Sequence, residues 1–160
     1  MPFSSNRDSE IGKKAPQIME DSIISSKCKD DITDLKTKLR EMKKRCPDKI
    51  IIGHININSL RNKFDTFSYL IGNNIDIVLI SETKLDDSFP TAQFTLDGFK
   101  VPYRFDRNAM GGGLLLYVRN DIPCKNVRVS SLYDIETILI EINLRKRKWF
   151  ICGSYNPHKS

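Results

Sequence analysis

Between Lys49 and Tyr155, strand-sized apolar runs end one after another on polar residues, and this pattern limits the folds open to the chain more than any other feature. KIIIGHINI (49–57) is β-branched, NIDIVLI (74–80) is continuously apolar toward its end, and GGGLLLYV (111–118) offers two apolar faces. Such strands suit a sheet covered on both sides, because a half-solvated sheet would alternate apolar with polar residues. Between the first two runs Leu60, Phe64, Phe67, Leu70 and Ile71 recur on one helical face, opened by Asn58 or Ser59 and stopped by Gly72. Strand, helix, strand in that order predicts a parallel pair and an α/β fold. Further strands are expected over 135–144 and 149–155. The turn between them, with Arg145, Lys146, Arg147 and Lys148, reads as a solvated hairpin tip that discourages edge pairing.

The part before Lys49 has another texture. Residues 1–29 are polar and Ser-rich without a sustained period and read as a disordered tail. Residues 30–46 read as one amphipathic helix. Ile32, Leu35, Leu39 and Met42 form its stripe, Asp30 or Asp31 caps its start, Lys43, Lys44 and Arg45 sit at its negative end, and Pro47 ends it. At about two heptads it is too short for a stable coiled coil alone, so it is expected to dock or to serve self-association. The length of 160 residues suits one domain plus a tail. Cys28, Cys46, Cys124 and Cys152 show no C-x-x-C pair or zinc spacing and read as free thiols of a reducing compartment. No apolar run reaches the roughly 18 residues of a membrane helix, and no secretory h-region opens the chain. The expectation is therefore an intracellular protein, nuclear or cytoplasmic, with no membrane partner. A net charge of +6 favours polyanions, although it is spread along the chain.

Two polar residues stand where parallel strands would bring them together. Asn56 ends the first strand and Glu82 follows the second, so a shared C-terminal edge would hold an amide beside a carboxylate, where α/β sheets keep their ligands. All-oxygen donors of this kind suit a hard cation such as Mg²⁺, which retains most of its waters.

Taken jointly, NINSLRNK, ISETKL, GGG before an apolar strand, and SYNP resemble the endonuclease/exonuclease/phosphatase family. The likeness is greatest to the apurinic-endonuclease-like nuclease domain of LINE-type, non-LTR retrotransposons, and it covers residues 49–160. It implies a DNase-I-like four-layer α/β sandwich, a Mg²⁺ cofactor and a DNA partner. It also implies roles: Glu82 as metal ligand, Asn56 and Tyr155 as catalytic groups at the scissile phosphate, Arg61 and Lys84 as DNA and phosphate contacts. Asn58 stands where apurinic endonucleases often carry Asp, and His158 where relatives often carry Asn. Neither is given a role.

The family's G-D-x-N and S-D-H segments do not occur in this sequence. The resemblance therefore implies the N-terminal half of such a sandwich, a fragment of a target-nicking endonuclease that is inactive alone. A sheet face left uncovered by the missing half would drive aggregation, a molten state or self-association. Two alternatives remain open: a non-catalytic DNA-binding or self-associating remnant, and a fragment of a phosphodiesterase acting on phosphoinositides or sphingomyelin.

Overall fold

The computed structural model describes residues 17–156. It is mixed α/β with two sheets and few helices. Helix α1 (Gln17–Arg45) precedes β1 (Ile52–Asn56), α2 (Phe64–Ile71), β2 (Ile77–Ser81), β3 (Tyr103–Phe105), β4 (Leu114–Val118), β5 (Cys124–Leu132), β6 (Ile135–Leu144) and β7 (Arg147–Tyr155). The first sheet has the order β1-β2-β4-β3 and the second β5-β6-β7.

β1 and β2 are parallel neighbours, with Asn56 opposite Ser81, as the strand, helix, strand pattern predicts. Gly72 closes α2 with a positive φ, and its N–H bonds to the Ser68 carbonyl. The start of the helix departs from expectation. Asn58 and Ser59 take left-handed φ values of 46° and 79° instead of capping, and a 3-10 turn, Arg61–Lys63, precedes α2.

Two apolar layers flank the first sheet. On one side Val78, Ile80, Leu115 and Tyr117 pack with Leu60, Phe67 and Ile71 beneath α2. On the other, Ile77, Leu114, Leu116 and Val118 meet Ile138, Ile140 and Ile142 of β6. This second layer overturns the expected bare sheet face: Leu114 and Val118 are fully buried and Leu116 nearly so. The covering comes from long hairpins, whose strands of nine, ten and nine residues fold back over the first sheet. Strand β5 escapes sequence reading because its register shifts between Lys125 and Arg128, and a bulge destroys the period-two pattern. With the face covered, this side of the sheet no longer offers an apolar patch that would drive a molten state or self-association. Among the described residues, a strip along β1 stays open, where Ile52 is 54% exposed, as does the outer edge of β7 with Trp149 and Phe150.

Helix α1 also differs from the expected 30–46. It begins at Gln17, inside the stretch read as tail, so Asp30 and Asp31 lie within it instead of capping it. No Pro or Gly occurs from Gln17 to Arg45 to stop the helix running toward its N-terminus. The remainder of the expected tail, residues 1–16, lies outside the described residues, as does His158. The second half of the helix docks on the body of the protein. Leu39 joins the layer beneath α2, Lys36 lies 3.3 Å from the Tyr69 ring centroid, and Lys43 reaches Asp76 at 2.7 and 2.8 Å. Leu35 and Met42 remain nearly half exposed. Among the described residues no helix is long and apolar enough to cross a membrane.

Candidate active site

The site lies at the C-terminal end of β1 and β2. Hydrogen bonds continue past both strands, from Ile57 N–H to the Ser81 carbonyl, from Ser59 N–H to Glu82 and from Leu60 N–H to Thr83, at 2.8 to 3.0 Å. These bonds zip the two loops together and fix Glu82 beside the Asn56–Ser59 corner. The backbone there is unusual, because Glu82 and Lys84 also have positive φ, 58° and 52°. Four non-glycine residues in the left-handed region within two short loops carry strain of a kind that clusters at functional sites.

Tyr155 arrives from the second sheet. Its position opposite Glu136 in the β6–β7 ladder puts its side chain on the inner face of that sheet, and its hydroxyl donates a very short hydrogen bond to Glu82 Oε1. Burial, together with the Glu82 carboxylate, pushes the phenol up to about 12, while the Asn56 amide acts in the opposite sense through its hydrogen bond. At neutral pH Tyr155 is thus a proton donor. The other Glu82 oxygen accepts Gly112 N–H at 3.3 Å. The Asn56 side-chain oxygen accepts Asn58 N–H at 3.3 Å, which holds the amide at the strand end. Asn56, Glu82 and Tyr155 are therefore brought together from three strand ends.

Two glycines form the wall behind them. Gly112 and Gly113 have φ of 77° and 92°. A Cβ on Gly113 would overlap Thr83 Oγ1, and one on Gly112 would overlap Glu136 Oε1. Only glycine allows this turn to lie so close to both loops.

Glu136 is the residue that reading the sequence missed. It is 1% exposed, accepts Gly113 N–H at 2.8 Å, and has Arg107 at 3.8 Å from its other oxygen. Burial raises its pKa, as does the nearby Glu82 charge. A signal existed in the sequence. Glu136 shares parity with Ile138, Ile140 and Ile142, the inward-facing set of β6, so a carboxylate was committed to the core.

The two expected phosphate contacts stand apart. Lys84 is on the rim, with Nζ 2.7 Å from Asn58 Oδ1. Arg61 opens the 3-10 turn and lies over the Phe89 ring, 5.1 Å from its centroid, and its charge helps hold Asp86 below the usual carboxylate range, after the larger effect of the Ser88 hydrogen bonds. Arg61 makes no hydrogen bond to the Asn56, Glu82 and Tyr155 cluster.

The donor set is chemically suited to a small hard cation: a carboxylate already turned toward a phenol, with an amide oxygen beside it. Among the described residues no group of three or more His, Cys, Asp or Glu gathers for a metal. A cation held here would keep most of its waters or take oxygens from a substrate, the habit of Mg²⁺. No protein-family model and no curated protein matches this chain.

Proposed function

We propose that residues 49–160 are the N-terminal part of a Mg²⁺-dependent phosphodiester-hydrolysing domain of the endonuclease/exonuclease/phosphatase type, similar to the DNA-nicking domain of LINE-type retrotransposons. One observation carries this reading. Three side chains from three separate strand ends, Asn56, Glu82 and Tyr155, converge beside a strained, glycine-walled turn. Two facing sheets with helices outside the first are compatible with part of a DNase-I-like sandwich.

In this reading each residue has a defined task. Glu82 supplies the carboxylate for Mg²⁺, which would neutralise charge on a phosphate oxygen. Tyr155, held protonated, donates to a second phosphate oxygen once a substrate competes for its hydroxyl. Asn56 orients that hydroxyl and offers its amide to the same phosphate. Lys84 and Arg61 add positive charge at the rim and favour DNA without reading bases. Water positioning and leaving-group protonation belong to the G-D-x-N and S-D-H segments of the family, so these five residues bind and orient without completing the reaction.

Mg²⁺ calorimetry tests the proposal. With a single protein carboxylate in contact, affinity should be near millimolar, on the order of −4 kcal/mol. Glu82→Gln should abolish the signal. Binding of equal strength in that variant would remove Glu82 from the site and the proposal with it.

A further inference from the structure

Glu136 combines features that a purely structural carboxylate avoids. It is 1% exposed, and its Oε1 has no hydrogen-bond partner, only Arg107 at the long distance of 3.8 Å. Buried polar atoms are almost always satisfied, and an apolar side chain of similar size would fit the inward parity of β6 at less cost. A carboxylate kept in such a place calls for a task.

Its surroundings define the task. Glu136 Oε2 accepts Gly113 N–H at 2.8 Å, while the neighbouring Gly112 N–H goes to Glu82 Oε2 at 3.3 Å. Consecutive amides of one turn are thus shared between the two carboxylates. The same turn is tied to the Glu82 loop from behind, since the Gly113 and Gly112 carbonyls accept the N–H groups of Thr83 and Lys84 at 3.3 and 3.0 Å. Any shift of the turn must move both the amide on Glu82 and the loop that carries Glu82. The bulk of Glu136 against Gly112, where a Cβ would overlap Oε1, sets how deep the turn can sit.

We propose that Glu136 is a positioning residue: by holding Gly113 it seats the Gly112 amide on Glu82 and so keeps the Glu82 carboxylate turned toward Tyr155. Glu136 does not itself touch the cation or the phosphate. The role of Glu136 at the turn rests on the hydrogen bonds of Gly112 and Gly113 alone, and only its consequence for cation binding rests on the reading of Glu82 given above.

Residue-resolved amide hydrogen exchange on the full chain, with Mn²⁺ line broadening as a second readout, tests the proposal. In Glu136→Ala the Gly113 amide should exchange faster, and so should Gly112, whose acceptor has not been touched, by about tenfold. Mn²⁺ affinity should weaken by about tenfold, as for other residues that orient a metal ligand. Glu136→Gln keeps an oxygen for Gly113 and should restore both. Glu136→Asp retains the charge but withdraws the oxygen, should behave like alanine, and decides the matter if the alanine variant does not fold. Faster exchange at Gly113 with Gly112 unchanged would overturn the proposal. A glutamine variant as impaired as alanine would overturn it as well. Absence of Mn²⁺ broadening in the wild-type chain would instead sink the cation reading of Glu82, and the exchange data would still decide the role of Glu136.

Discussion

Asp76 and Glu136 are carboxylates buried at opposite ends of the sandwich, and the chain treats them differently. Asp76, just before β2 and 4% exposed, receives Lys43 at 2.7 and 2.8 Å and Ile51 N–H at 2.8 Å, with Arg119 at 3.8 Å. Glu136, at the start of β6, has one amide and a distant guanidinium. At the Asp76 end the charge is neutralised and its lone pairs are occupied. At the Glu136 end a desolvated carboxylate lies near a second one, Glu82, beside residues with strained φ. The first arrangement is what stability calls for, since a buried charge is tolerable when paired and hydrogen-bonded. The second stores unfavourable terms at one place, as functional sites do. The difference sets the Asp76 end, which anchors α1, apart from the Glu136 end, where we propose that the site lies.

Substitution should separate the two ends. Asp76→Ala would strand Lys43 beside the core and release both Ile51 and α1, at a cost of about 3–5 kcal/mol, toward the lower figure because Lys43 is partly solvated. Urea unfolding followed by circular dichroism measures it. A loss below about 1 kcal/mol would mean that the pair is a surface contact and the contrast with Glu136 is false. Next in size is Gly113→Ala, which places a Cβ on Thr83 Oγ1 and forces an L-residue to φ 92°. The expected cost is about 2–4 kcal/mol from overpacking and the left-handed backbone together. A variant as stable as the parent would show that the glycine turn can move and that its tight seating is not required.

The smallest effect is on pH dependence. Tyr155 and Tyr103 are pushed up to about 12, and burial raises Tyr117 as well. In each case the folded value lies above the ordinary value of 10.0, so the stabilisation is complete below pH 10 and is lost as pH rises toward 12. Urea midpoints should be level from pH 8 to 10 and fall above that. Tyr155→Phe should blunt the fall, because the site end contributes part of it. An unchanged alkaline profile in that variant would place Tyr155 outside the Glu82 hydrogen bond.

The legible part of the molecule was the part governed by local patterns. The β-branched run before Asn56, the apolar face of α2 and Gly72 each act through neighbouring residues, and each formed as their chemistry demands. That Asn56 and Glu82 would share one sheet edge was legible too, because a strand, helix, strand unit makes parallel neighbours whose C-terminal ends lie on the same side. What failed depended on contacts far away in sequence. The 3-10 turn at Arg61 replaces a capped helix because Ser59 and Leu60 are drawn onto the Glu82 loop. The cover over Leu114, Leu116 and Val118 comes from a hairpin array whose first strand is bulged and lacks a clean period. Glu136 was overlooked because a lone Glu in a strand reads as a surface residue unless its parity is followed.

We propose that Asn56, Glu82 and Tyr155 form one cation-binding, phosphate-facing site at the end of β1 and β2. Mn²⁺ line broadening mapped over the backbone amides of the full chain tests it most directly, because it locates even weak binding. Broadening should centre on Glu82 and Gly112, extend to Asn56 and Tyr155, and be lost in Glu82→Gln. Broadening centred elsewhere, for instance on Asp76 or Asp86, or a map that survives Glu82→Gln unchanged, would contradict it.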